Sequence, residues 1–141
     1  MPSIRQQINI AAPTRVIWNL LTTAEGWTHW WAEEARLEPR SGGRIVLTIE
    51  GDDGEPIEER GVFHEIRPTR KLEIAWDSTS PAKTRGTRVQ LTISRDGDEA
   101  RLALIHSGGG ILDDEEARAA LEREWRSALR ALRSHLESGS G

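Results

Sequence analysis

Between Glu33 and Ser107 apolar residues recur at every second position in one segment after another, and this repeated period of two constrains the fold more than any other feature of the chain. Ile45, Leu47 and Ile49 alternate with polar neighbours. So do Leu72, Ile74 and Trp76, then Val89, Leu91 and Ile93, then Leu102, Leu104 and His106. Each set reads as a strand with one buried face. Ala35 and Leu37 make a shorter strand, and Glu55–Ile66 a longer, weaker one in which Gly61 is expected to mark a bulge. Turn residues separate them at Gly42-Gly43, Asp52-Asp53-Gly54, Arg67-Pro68-Thr69 and Arg95-Asp96-Gly97-Asp98. A further strand precedes the series, with Ile4, Gln6, Ile8 and Ile10 on one face.

Two regions break this period. Pro13 suits a helix first turn, and Val16, Ile17, Leu20 and Leu21 follow at helical spacing until Thr22–Gly26 ends the segment. The cluster Trp27-Thr28-His29-Trp30-Trp31 then falls on a short helix or turn. At the other end Gly108-Gly109-Gly110 is expected to act as a hinge into a long helix, roughly Leu112 to Leu136. Its apolar stripe is Ala117, Leu121, Trp125, Ala128, Leu129, Leu132 and Leu136. Asp113, Asp114, Glu115 and Glu116 favour its positive dipole end. Arg123, Arg126, Arg130 and Arg133 form a basic outer face, with Arg118–Glu122 and Glu122–Arg126 expected to pair along it. The element order is β-αα-β6-α, with no repeat. Residues 1–137 are expected to form a single domain and Ser138–Gly141 a flexible tail.

The chain has six tryptophans against one phenylalanine and no tyrosine. Rings of that size often line a space as well as fill one. With no cysteine, disulfides and thiolate metal sites are excluded, which favours the cytoplasm. No apolar run resembles a signal peptide or a membrane span. A net charge of −4 argues against a general nucleic-acid partner. The four histidines show no ligand spacing with carboxylates, so no metal or other cofactor is expected. No Gly-x-Ser-x-Gly, cysteine nucleophile or Ser-His-Asp set is present.

Several segments together resemble a known family. They are Ala12-Pro13 through Ile17-Trp18, Trp30-Trp31, Ser41-Gly42-Gly43-Arg44, Gly61–Pro68, Leu72–Trp76, Gly86-Thr87-Arg88-Val89, and Leu104-Ile105-His106-Ser107-Gly108. In this order they resemble the START/Bet v 1-like (SRPBCC) superfamily, and within it the family named for activators of heat-shock-protein-90 ATPase. The resemblance implies an α+β helix-grip fold. A curved antiparallel sheet of about seven strands would hold two short helices and a long C-terminal helix across its concave face. It also implies a hollow between sheet and helix. Where the family often has Gly-Trp in the last helix, this chain has Glu124-Trp125, so that edge of the hollow is narrower or more polar.

On this reading the chain binds a small apolar or aromatic molecule in that space. Trp27, Trp30, Trp31, Leu47, Trp76, Leu91, Leu104, Leu121 and Trp125 are the candidate walls. His106, inward by strand parity, and Glu124, on the flank of the helix stripe, are the candidate polar contacts. His29 is a rim candidate, while His64 and His135 follow no pattern. Each has a plainer alternative: packing for the rings, a satisfied structural imidazole for His106, and an exposed, ion-paired carboxylate for Glu124. Two other functions stay open. One is a protein-docking module for a chaperone ATPase. The other is a small cyclase, dehydratase or hydrolase using Glu124 or His106 as acid or base.

Overall fold

The alternating segments assemble into one sheet. The computed structural model describes residues 2–51 and 53–138. Along the chain run β1 (Ser3–Ile10), α1 (Thr14–Leu21), α2 (Ala24–Trp27), β2 (Glu34–Leu37), β3 (Arg44–Glu50), β4 (Pro56–Arg67), β5 (Lys71–Trp76), β6 (Arg88–Asp96), β7 (Glu99–Ser107) and α3 (Glu115–Ser138). The seven strands are ordered β1-β7-β6-β5-β4-β3-β2. Every neighbouring pair is antiparallel. β2 to β7 form a meander, and β1 returns to pair with β7 from Ser3↔Ser107 to Ile10↔Ala100. Asp52, of the expected Asp52-Asp53-Gly54 turn, and Gly139–Gly141, of the expected tail, lie outside the described residues, while Ser138 is the last residue of α3.

Side chains on alternate positions give the sheet its buried face. Ile45, Leu47, Phe63, Leu72, Ile74, Val89, Leu91 and Leu102 are all fully buried there. The long helix covers this concave face and buries Leu121, Trp125, Ala128, Leu129 and Leu132 against it. It is the helix-grip arrangement. Gln6 on β1 donates to the Glu122 carbonyl at 2.7 Å and so fixes the helix to the sheet edge.

The helix begins later than its stripe suggests. Gly110–Asp113 form a separate 3-10 turn, and the α-helix starts at Glu115. Asp114 decides this. Its carboxylate accepts from the Glu116 and Ala117 N–H groups at 3.0 and 3.2 Å, an N-cap that ends one element and opens the next. Arg118 does not pair with Glu122. Its guanidinium instead donates to the Leu112 carbonyl at 2.7 Å, a group the short turn leaves unpaired. Gly108 and Gly109 both take positive φ, 77° and 74°, so the residues expected as a hinge form a defined turn.

A second correction concerns β4. The bulge lies between Phe63 and Glu65, and Gly61 pairs regularly with Ile45 and Trp76. Gly61 is there for lack of space: a Cβ would come within 2.6 Å of the Ala75 carbonyl oxygen and 2.9 Å of the Trp76 ring. Gly61→Ala is therefore expected to cost about 1–3 kcal/mol through overpacking, read as a lower urea midpoint at unchanged slope. A neutral substitution would show that both the Ala75 backbone and the Trp76 ring give way without cost.

Candidate functional site

The tryptophan turn is built by local hydrogen bonds. Thr23 caps α2 by accepting from Gly26 N–H at 3.0 Å. Trp27 is fully buried, and its Nε1 donates to the Leu21 carbonyl at 3.0 Å. The Trp31 and Ala32 N–H groups then fold back onto the Trp27 carbonyl at 3.1 and 3.0 Å. This tight turn projects rings in different directions. Trp30 stacks on Trp27 with centroids 4.7 Å apart. Trp31 stacks nearly parallel on Trp125 of α3 at 4.0 Å. Trp30 tilts against Trp125 at 6.0 Å. The helix is thus joined to the turn through aromatic faces.

A polar chain runs beneath that stack. Trp125 Nε1 donates to His106 Nδ1 at 3.0 Å. An indole can only donate, so Nδ1 must be the unprotonated nitrogen and Nε2 carries the hydrogen. Nε2 then donates to Thr87 Oγ1 at 2.9 Å, and the Thr87 hydroxyl donates to the Thr84 carbonyl at 2.6 Å. Both ring nitrogens are engaged within the protein. Burial holds His106 well below the usual imidazole range, at about 4, so the ring is neutral near pH 7.

Glu59 on β4 shares the inward parity of Gly61 and Phe63 and is fully buried. Its Oε1 accepts from Trp31 Nε1 at 2.7 Å, while its Oε2 has no hydrogen-bond partner in the protein. Burial raises its pKa above the usual carboxylate value, partly offset by the Trp31 bond and then by Lys83 and Thr84. The indole Nε1 groups of Trp30 and Trp76 are also buried without an acceptor. Such groups are costly to bury without a partner.

At the rim, Lys83 in the β5–β6 loop bonds Glu124 at 2.9 Å and lies 5.3 Å from the Trp31 ring centroid. Two open grooves meet here. One, of about 400 Å³, runs between Trp30, Trp31, Lys83, Glu124 and Ala131. The other, of about 630 Å³, passes Trp30, Trp31, Ala120, Glu124, Ala128 and Ala131. His29 stacks on His135 at 3.7 Å beside them.

The structure therefore brings Trp30, Trp31, His106, Glu124 and Trp125 together. Trp76 lies against Gly61, two residues along β4 from Glu59. Trp27, Leu47, Leu91, Leu104 and Leu121 sit behind these rings in the packed core. Glu124 is exposed and ion-paired, and His106 is hydrogen-bonded on both sides, so neither stands free as an acid or base. Sequence reasoning missed Glu59, Lys83, Thr84 and Thr87. Inward parity was the available signal for Glu59. The β5–β6 loop residues carry no periodicity that could have placed them.

The family model for the activator of Hsp90 ATPase homolog 1-like protein matches residues 11–137. The chain belongs to this family. No curated protein matches it in sequence. Among solved structures it is similar to the Aha1 dimer from Colwellia psychrerythraea, with 21% identity, complete coverage of both chains and a TM-score of 0.83. A protein from Nitrosomonas europaea matches at 15% identity over 99% of this chain and 96% of that one, with a TM-score of 0.81. CalU16 from Micromonospora echinospora matches at 24% identity over 96% and 74%, with a TM-score of 0.75. These likenesses establish the shared fold. Among the described residues no helix is long and apolar enough to cross a membrane.

Proposed function

We propose that this family member binds a small, largely apolar or aromatic molecule against its tryptophan rings, between the sheet and α3. The observation that carries the reading is that Trp30 and Trp31 line two open grooves, with the Trp30 Nε1 buried and without a hydrogen-bond partner and the Trp31 Nε1 bonded to the buried Glu59. A packed core has no use for unpaired polar atoms, whereas a binding site pairs them with its ligand. Apolar burial of the ligand would supply the affinity at ~25 cal/mol per Å². Trp30, Trp31, Trp76 and Trp125 form the working walls, with Trp27, Leu47, Leu91, Leu104 and Leu121 holding them from behind. His106 acts by fixing the Trp125 ring, and Glu124 by anchoring Lys83 over Trp31.

The test is a fluorescence titration with naphthalene and substituted naphthalenes. Saturable quenching of tryptophan emission is expected. Ala131→Phe, at an exposed position in the wall of both grooves, should abolish the saturable component without altering stability. A response that stays linear across the panel would reject ligand binding.

Docking on a protein is the second reading, favoured by the way the ring-bordered grooves open to solvent. The family is named for activators of a chaperone ATPase, and the similar Colwellia protein is described as a dimer. Stimulation of a chaperone ATPase, or a concentration-dependent sedimentation coefficient, would support that role.

A further inference from the structure

β1 is an edge strand without the usual protection. It ends the strand order, with β7 on one side and no strand on the other. Sheet edges are ordinarily blunted by proline, a bulge, several charges or short length. β1 is eight residues long, pairs with β7 without a register break, contains no proline and carries one charge, Arg5. In an antiparallel pair, alternate residues turn both of their peptide groups away from the partner strand. Among the described residues, the peptide groups of residues 3–9 make no backbone hydrogen bond outside the sheet.

Beside this edge lies the flank of α3 that faces away from the ring-bordered grooves. Two hydrogen bonds set the helix alongside the strand in the same direction. Gln6 holds the Glu122 carbonyl at 2.7 Å, and the Glu137 carboxylate accepts from Ala11 N–H at 2.8 Å. Between these anchors α3 presents Arg126, Arg130 and Arg133. With Gln7, Ile8 and Leu129 they line an open groove of about 380 Å³. Leu129 is buried and Ile8 half-buried, so the groove has an apolar floor as well as a basic wall. The pair expected between Glu122 and Arg126 does not form. Among the described residues none of the three arginines makes an ion pair. On a protein of net charge −4 this is a local field of the opposite sign.

We propose that the β1 edge and this arginine row together dock an extended acidic segment of a protein partner, which pairs with β1 as an added strand. The three features are complementary to one such occupant. Its backbone meets the free peptide groups of β1, which supply affinity without regard to sequence. Its side chains on one face, at every second position, reach α3. Carboxylates there meet the guanidinium groups, and an apolar side chain meets Ile8 and Leu129. The spacing agrees: Arg126 and Arg130 are about 6 Å apart along a helix axis, against ~6.8 Å between alternate residues of a strand. A second copy of this chain fits less well. Pairing two β1 edges about a two-fold axis would bring the same arginine rows together.

The experiment is a nuclear magnetic resonance titration of the full chain with a short blocked peptide in which threonine alternates with glutamate, valine, glutamate and glutamate. Saturable shifts are expected in β1 and in α3 around Arg126–Arg133, with amide exchange slowed at alternate residues of β1. Three further probes separate the contributions. The same peptide with lysine for glutamate should not bind. The acidic peptide N-methylated at alternate residues, which keeps its charge but cannot pair, should bind at least tenfold more weakly. Inorganic tripolyphosphate should leave β1 exchange unchanged. The combined Arg126→Gln, Arg130→Gln and Arg133→Gln variant should lose about tenfold in affinity for the acidic peptide, the joint worth of exposed ion pairs. Equal binding of the lysine peptide overturns the charge argument. Equal binding of the N-methylated peptide, or slowed β1 exchange with tripolyphosphate, overturns strand pairing and leaves a general anion surface. Slowed β1 exchange in the protein alone that grows with its concentration overturns the proposal in favour of self-pairing. Absence of saturable shifts with the acidic peptide overturns it outright, and leaves the reading of the ring-bordered grooves untouched.

Discussion

Trp125→Ala is expected to lower unfolding stability by about 3–5 kcal/mol, the range for deleting a large buried ring. The residue is 1% exposed. Its loss would remove the Trp31 stack at 4.0 Å, the contact with Trp30 and the donor to His106 Nδ1. The last of these leaves a buried acceptor unpaired, which adds to the cavity cost. Urea melts followed by far-ultraviolet circular dichroism measure it. A loss below about 1 kcal/mol would mean that the ring overhangs open space and does not join helix to sheet. Trp125→Phe separates the two contributions, because it keeps most of the stack and loses only the hydrogen bond.

The second large effect is acid sensitivity. His106 takes a proton only near pH 4 in the folded protein, against about 6.5 in an unfolded chain. Between those values the unfolded state binds more protons, so stability falls as pH falls through this window. Integrated over the window the loss is about 3 kcal/mol. Glu59 works in the opposite sense. Its raised pKa lets the folded state hold a proton longer, so its own contribution weakens as pH rises above 4.5. The two groups overlap, and single substitutions separate them. His106→Gln can still accept from Trp125 and donate to Thr87. It is expected to flatten the decline between pH 6.5 and 4, as measured by urea midpoints at several pH values. Parallel curves for variant and parent protein would show that His106 is not the titrating group.

The strands were legible because their inward residues are nearly all apolar, so parity alone set Leu72, Ile74 and Trp76, or Val89, Leu91 and Ile93, on one face. The same parity put His106 inward, and the helix stripe put Glu124 at its flank. β4 was harder. The bulge after Phe63 shifts its register, and a carboxylate stands at an inward position, so a pattern based on hydropathy passes over Glu59. Gly61 illustrates a different limit: a glycine in a strand reports either a bulge or a close neighbour, and the positions of the Ala75 carbonyl and the Trp76 ring distinguish them. The pairing of His29 with His135 and the closure of Lys83 on Glu124 link residues far apart in sequence. No local signal encodes such meetings. They follow from where the finished sheet sets its loops against the last helix.

The return of β1 to the far edge of the sheet has a consequence for how the chain reaches this state. Ser3 pairs with Ser107, and Ala11 N–H bonds the Glu137 carboxylate at 2.8 Å. Among the described residues, the first strand of this sheet in chain order therefore has its sheet partner in the last, β7. The hairpins from β2 to β7 can zip sequentially as they emerge, each closing a short loop. β1 must wait until β7 exists, and its docking closes a loop of about a hundred residues. Until then its apolar face is uncovered, and that interval, after synthesis of the meander and before β1 and α3 arrive together, is when this protein is most open to association with other chains.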